Sequence, residues 1–94
     1  MAFPRRLHDP DAVLDYPVDW SDWLTGGDTI VSAEVFPPTG ITVGSVDVHP
    51  TVVIAWLSGG VPSVSGTKYD VRYHIVTAQG REDDRTITLV VKER

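Results

Sequence analysis

The chain has 94 residues, no cysteine and a formal net charge of −5 at pH 7. This length predicts one domain with its own hydrophobic core, and the missing cysteines exclude disulfides and thiolate metal sites. The acidic balance disfavours nucleic acid and anionic membranes as partners, and no apolar run approaches the ~20 residues of a membrane span. Thr, Val, Ile, Gly and Pro are abundant and long helical periodicity is missing, which favours an all-β domain.

Residues 1–12 are predicted to form an extended N-terminal arm, and residues 13–94 a single β-sandwich domain. Pro4 and Pro10 would interrupt any regular element within the arm. Two interpretations stay open: a disordered terminus, or a segment that becomes ordered against a neighbouring subunit. On the second interpretation, deletion of Met1–Asp9 is expected to abolish assembly and leave the domain folded. The candidate partner contacts in the arm are Phe3, Arg5, Arg6 and Leu7.

The stretch AVLDYPVDW alternates with a period of two, which predicts the first strand. DWSDWLTGGD then breaks the pattern and predicts one short helical turn, capped by Asp19 or Ser21 and ended by Gly26-Gly27. Trp20 and Trp23 would lie on one side of this turn as core side chains that close one end of the sandwich. The alternative is an exposed aromatic platform for sugar or protein.

Three further stretches read as strands. TIVSAEVF places Val31, Ala33 and Val35 on one face, and the two prolines that follow end it. In ITVGSVDV the apolar phase slips at Gly44, which predicts a bulge or bend there. TVVIAWLSGG is nearly all apolar, which predicts a central strand or one covered on both faces, with Trp56 as a structural core residue.

Residues 68–77 and 85–92 alternate with period two and are joined by AQGREDD, which predicts a hairpin with Gly80 in the turn. With six or seven strands in all, the sequence predicts an immunoglobulin- or fibronectin-III-like sandwich of about seven antiparallel strands. Tyr69 stands just inside a strand after a Gly-Thr turn, where such domains carry a tyrosine corner. Its hydroxyl is therefore expected to bond back to the preceding connection.

Reactive groups do not gather in any known pattern. His8, His49 and His74 lack metal-ligand spacing, and the EDD run between Arg81 and Arg85 is better explained by cross-strand ion pairs than by a calcium loop. No nucleophile elbow or P-loop occurs. The sequence thus favours a non-enzymatic binding or structural module without cofactor or metal; a small hydrolase is the least favoured alternative.

The motifs DPDAVLDYPVDWSDWL, GDTI, WLSGG and GTKYDVRYHIVTAQGREDDRTITLVV occur in this order and cover roughly residues 9–92. Together they resemble a family of short tailed-bacteriophage proteins known as fiber-tail adaptor or minor virion proteins. The resemblance implies a structural virion protein, assembled in the bacterial host cytoplasm, which joins tail, neck or fiber components through protein–protein contacts. It also implies several copies around a symmetry axis. The alternative is an immunoglobulin-like decoration module that binds carbohydrate or the host surface.

Overall fold

The computed structural model describes residues 5–8, 12–63 and 66–91. These residues form seven strands and no helix. In chain order the strands are β1 (Arg5–His8), β2 (Val13–Asp19), β3 (Ile30–Phe36), β4 (Ile41–Val48), β5 (Val52–Gly59), β6 (Thr67–Thr77) and β7 (Glu82–Val91).

The strands form two sheets that enclose one core. One sheet has four strands in the order β1-β7-β6-β3, and the other has three in the order β2-β5-β4. The prediction of an all-β domain with seven strands is confirmed. The prediction that all strands are antiparallel is wrong for β1, which runs parallel to β7. No hairpin joins these two strands, so the chain does not force them into opposite directions.

Strand β1 comes from the stretch predicted to be an arm. It pairs with β7 from Arg5 opposite Thr88 to His8 opposite Val91. The His8 side chain is only 4% exposed, and its Nδ1 atom lies 2.6 Å from the hydroxyl oxygen of Tyr16 on β2. Arg5–His8 is therefore part of the folded domain and links the two sheets at one side, whereas Phe3 lies outside the described residues.

The core between the sheets is built by side-chain alternation on both of them. Its buried members are Tyr16, Val18, Trp20, Ile30, Ile41, Val53, Ala55, Leu57, Val71, Tyr73, Ile75, Ile87 and Leu89. The Tyr73 hydroxyl donates a hydrogen bond of 2.9 Å to the Tyr16 carbonyl across the core, so this buried hydroxyl is satisfied. Burial raises the pKa of Tyr73, which keeps this donor protonated.

Two bulges set which side chains reach the core. The predicted irregularity at Gly44 is confirmed by a register shift between Val43 and Val46. A second shift, between Ile30 and Ser32, was not predicted. Because of it Ile30 is buried while Val31 is 58% exposed, so the prediction that Val31 shares one face with Ala33 and Val35 is wrong.

The predicted helical turn is not a helix. The amides of Trp23 and Leu24 both donate to the Trp20 carbonyl, at 2.9 and 3.0 Å, and form a single hydrogen-bonded turn. Gly26 and Gly27 follow with φ of 65° and 73° and turn the chain away. One turn gains too few hydrogen bonds to offset helix nucleation, so the segment ends before a helix forms.

The opposite end of the sandwich is closed by glycines and Tyr69. The Gly60 amide donates to the Gly40 carbonyl at 2.9 Å, and a Cβ atom on Gly59 would stand 2.7 Å from the Gly40 carbonyl oxygen. The Tyr69 hydroxyl accepts a hydrogen bond of 2.9 Å from the Val61 amide in the preceding connection. The chain after β5 is therefore held against the start of both β4 and β6.

Candidate interaction surfaces

The two tryptophans of the DWSDWL stretch lie beside the β6–β7 hairpin. Trp20 is fully buried, and its Nε1 atom donates a hydrogen bond of 3.0 Å to the Asp83 carboxylate. Trp23 packs against the core, and the Arg81 guanidinium lies 4.8 Å from the centroid of its ring. Neither indole offers a free flat face, so these two rings do not form the aromatic platform that was the alternative.

A buried carboxylate explains two of the sequence motifs at this end. The Asp28 side chain has no exposed surface, and its Oδ1 atom accepts hydrogen bonds from the Thr29 and Gln79 amides. Its Oδ2 atom accepts from Nε of Arg81 at 3.0 Å. Burial by itself would raise the pKa of Asp28, but hydrogen bonds from Thr77, Gln79 and Arg81 outweigh it and lower the pKa below 3.8. GDTI and TAQGR thus meet in a structural cluster.

Trp56 lies on the outer face of the three-stranded sheet. Strand β5 directs Val53, Ala55 and Leu57 into the core, so Trp56 and Ile54 point the other way and are half-buried. The prediction of a core position for Trp56 is therefore wrong. When a strand has apolar residues on both faces, side-chain periodicity cannot distinguish the core face from the outer face.

This outer face has an apolar centre and an acidic border. In the strand register Asp15 lies opposite Trp56, and Ile54 lies between Pro17 and Asp47. We call it the acidic face; it consists of Asp15, Pro17, Asp19, Asp47, Ile54 and Trp56. Trp56 Nε1 donates to Asp47 at 3.3 Å, and none of the three carboxylates forms an ion pair with a residue that the structure describes. The Ser21 amide donates to Asp19 and lowers its pKa.

The charges of the chain are segregated along the sequence. Positions 7–67 contain no Lys or Arg but hold Asp or Glu at positions 9, 11, 15, 19, 22, 28, 34 and 47. All Lys and Arg residues within described strands therefore lie in the four-stranded sheet. Net charge alone did not reveal this polarity. A count of charge by position would have found it.

At the hairpin end of the four-stranded sheet, the charges of β6 and β7 on the outer face are paired within that sheet. His74 lies 2.5 Å from Asp84 through Nδ1 and 2.9 Å from Glu82 through Nε2, while Arg72 lies 3.4 Å from Asp84. The cross-strand ion pairs predicted for the EDD run are thus confirmed for Asp84. Hydrogen bonds to Asp84 and then to Glu82 raise the pKa of His74.

Near β1 this same face carries two cations without an ion-pair partner in the described part of the chain, Arg5 and Lys68, beside the apolar side chain of Leu7. We call these three residues the basic patch. Leu7 and Lys68 flank Val90 from opposite sides in the register, and Leu7 is 72% exposed. Neither Arg5 nor Lys68 forms an ion pair with a described residue. Of the four predicted partner contacts, Arg5 and Leu7 therefore lie together on an exposed surface.

Arg6 alternates to the other side of β1 and lines a cleft of about 430 Å³ at the open side of the sandwich. The remaining lining residues are Pro17, Val18, Asp19, Val52, Arg85 and Ile87. Arg85 is engaged there, because it donates to the Asp19 carbonyl at 2.7 Å and to the Asp22 carboxylate at 3.0 Å. Arg6 donates only to the Arg5 carbonyl among described residues.

The part of the chain that the structure describes has neither a group of three or more candidate metal ligands nor a membrane-spanning helix. His, Asp and Glu form no group of three suited to holding a metal ion there. That part also has no helix that is long and apolar enough to cross a bilayer. Among the described residues, charged and apolar side chains lie side by side on the acidic face, on the basic patch and along the cleft.

These features define a small two-sheet β-domain whose exposed groups suit contacts with other proteins. The family model for podophage GP4 fiber-tail adaptor protein gp77 matches residues 8–90, and the chain belongs to this family. No curated protein matches it. The resemblance to phage fiber-tail adaptors is thereby confirmed, and with it a structural role in the virion. The match begins at His8, so the other residues of β1 precede it.

Proposed function

We propose that this protein is an adaptor that joins tail, neck or fiber components of a tailed-phage particle through protein–protein contacts. Several copies surround a symmetry axis, and the protein enters the particle during assembly in the host cytoplasm. The acidic face is the observation that carries this proposal. It combines an apolar centre with a charged border, the arrangement of a protein-binding surface.

We further propose that the domain has an immunoglobulin-like topology. With the strands lettered A to G in chain order, the three-stranded sheet has the order B-E-D and the other contains C-F-G. These orders match constant-type immunoglobulin domains, except that the first strand lies beside G instead of B. The bond between the Tyr69 hydroxyl and the Val61 amide supports a tyrosine corner at the start of the sixth strand.

Contacts through β1 support the same proposal. This strand is at the edge of its sheet, so one side of its backbone is open to pairing with another chain. Leu7 presents an exposed apolar side chain beside Arg5, and Arg6 faces the cleft. We therefore retain Arg5, Arg6 and Leu7 as partner-contact residues, with Phe3 as a further candidate outside the described residues.

Complementation of a phage that lacks this gene tests the proposal. Deletion of Met1–Asp9 is a poor test because it would also remove β1 and its buried His8. Point variants separate assembly from folding. We expect Leu7→Ser and Ile54→Ser to lower both infectious titre and the amount of protein in purified particles by roughly tenfold or more.

The matched control is Val31→Ser, which removes an exposed apolar side chain from β3, away from both surfaces. It should complement fully, and all three purified variants should unfold at nearly the wild-type temperature. Absence of the wild-type chain from purified particles would contradict the adaptor proposal. Full incorporation of both contact variants would contradict the surfaces assigned to it.

The alternative of a carbohydrate-binding decoration module has weaker support. Sugar binding uses exposed aromatic faces, but Trp20 is buried and Trp23 is covered by Arg81. Trp56 is half-buried and is bordered by Asp47, to which it donates. Specific binding of the purified domain to host glycans, lost in Trp56→Ala, would favour this alternative.

A further inference from the structure

We propose that the acidic face of one copy docks on the basic patch of a second copy, so that the protein self-associates head to tail. The inference rests on the proposed adaptor function and deepens it by naming the occupant of the acidic face. That occupant is another copy of this chain, recognised by charge and by one apolar side chain.

Charge complementarity is the first argument. The acidic face has Asp15, Asp19 and Asp47 around its apolar centre. At its Asp19 end it adjoins the cleft that Arg6 and Arg85 line, so its negative charge is concentrated around Asp15 and Asp47. The basic patch carries the opposite charges, with Arg5 and Lys68 around the exposed Leu7. Asp70, which accepts a hydrogen bond from Thr88, is a carboxylate beside this patch and leaves it with a smaller net positive charge. Leu7 of one copy can therefore cover the centre formed by Ile54 and Trp56 while the opposite charges meet at its border.

The charges of the two surfaces form no ion pair within the described part of the chain, and the same is true of Arg6, Glu34 and Asp70. Arg72, His74, Arg81 and Arg85 all have carboxylate partners within the same chain. Arg5 and Lys68 have none among the described residues, and neither do the aspartates of the acidic face. An intermolecular contact can use these groups without breaking any ion pair that stabilises the monomer.

The two surfaces lie on opposite sides of the sandwich. The acidic face is the outside of the three-stranded sheet, and the basic patch is on the outside of the four-stranded sheet. A two-fold dimer through the acidic face would bring like charges together. The favourable contact is instead heterologous, and repetition of a heterologous contact generates rings or filaments.

The size of the acidic face indicates a weak contact. Three strands about 4.8 Å apart and seven residues long span an area of roughly 300 Å². Stable interfaces bury about 800 Å² on each partner. Self-association should therefore appear only at high protein concentration, and salt should suppress it because the charges are exposed. In a particle, neighbouring components would add to this contact.

Sedimentation velocity on the full chain tests the inference. At about 20 mM NaCl the weight-average mass should rise above 10.3 kDa with increasing concentration, and at about 500 mM it should return to the monomer value. A chain that stays monomeric at millimolar concentration in low salt overturns the proposal. Glu34→Lys, which alters an exposed charge on neither surface, should associate like the wild type.

A charge swap makes the test independent of folding defects. Asp15→Lys with Asp47→Lys reverses the acidic face, and Arg5→Glu with Lys68→Glu reverses the basic patch; all four side chains are exposed. Each double variant alone should be monomeric in low salt. An equimolar mixture of the two variants should associate again. The lysines on the acidic face of one variant then meet the glutamates on the basic patch of the other, and the two unchanged surfaces also carry opposite charges. Failure of the mixture to associate overturns the proposal.

The two proposals can fail separately. If the wild type is monomeric but Ile54→Ser still prevents incorporation into particles, the acidic face binds another virion protein. That result overturns self-association and supports the adaptor function. If the chain associates as described but is absent from particles, the adaptor function fails while the contact between copies stands.

Discussion

A pair of identical substitutions, Trp20→Phe and Trp56→Phe, separates an indole that supports the fold from one that is available for contacts. Trp20 is fully buried and donates to Asp83 at 3.0 Å, whereas Trp56 is half-buried on the outer face and donates to Asp47 at 3.3 Å. The chemical change is the same in both variants. Any difference in stability therefore reports the surroundings of the two rings.

The expected loss for Trp20→Phe has two parts. The hydrogen bond to a carboxylate that is partly exposed and can regain water contributes about 1 kcal/mol. The void left by the smaller ring costs about 1–2 kcal/mol more. The sum of about 2–3 kcal/mol is a large fraction of the roughly 5–14 kcal/mol expected for a domain of this length. Trp56→Phe should cost less than about 0.5 kcal/mol.

Thermal unfolding followed by circular dichroism measures both. Trp20→Phe should lower Tm by roughly 10–20 °C, and Trp56→Phe by no more than about 4 °C. Equal small shifts would show that Trp20 does not anchor the core. A large shift for Trp56→Phe would show that its ring stabilises the monomer and is not reserved for a partner.

Three other predictions concern hydrogen bonds and charge. Tyr73→Phe should cost about 1–2 kcal/mol because it removes a hydrogen bond buried in the core, and Tyr69→Phe less than about 1 kcal/mol because its backbone partner is exposed; equal losses in urea unfolding would contradict this. The pKa of His74 is raised above 6.5, so the contribution of protonated His74 to the free energy of unfolding is complete below about pH 6.5 and is lost as pH rises through the folded-state pKa. His74→Gln should remove this pH dependence from unfolding curves measured from about pH 5.5 to 8.5. A variant with the wild-type pH profile would refute the prediction. Asp28→Asn should lower Tm far more than Asp22→Asn, whose side chain is 75% exposed, and comparable shifts would argue against the buried cluster.

Local patterns in the sequence predicted the strands that alternate cleanly. The period of two placed Val71, Tyr73 and Ile75 on one face, and all three are buried. The bulge near Gly44 was also predicted, because the apolar residues change from odd to even positions in the sequence where the extra residue of a bulge is inserted. Where apolar and polar residues alternate, the strand and its buried face can both be read from the chain.

Other features depend on contacts that a local pattern does not contain. Strand β1 has four residues, too few for periodicity, and it exists because β7 offers it a free edge. The bulge at Ile30 was missed because Val31, Ala33 and Val35 fit a regular strand equally well. The Asp28–Arg81 pair joins positions far apart in the chain, so neither motif indicated its partner.

The candidate surfaces were only partly predictable. Four residues of the predicted arm were proposed as contacts, and two of them, Arg5 and Leu7, lie together on an exposed surface. The acidic face was missed because Trp56 and Ile54 stand in an apolar run that suggests a core. The long stretch without Lys or Arg was the available signal, since it predicts an acidic sheet wherever those strands pair with one another.

An electron-microscopy map of the intact virion tests the central claim most directly. We predict several rotationally related copies of this domain between tail, neck or fiber components, with Leu7, Ile54 and Trp56 buried in contacts. A particle without the domain, or a domain whose three side chains all face solvent, would contradict the account.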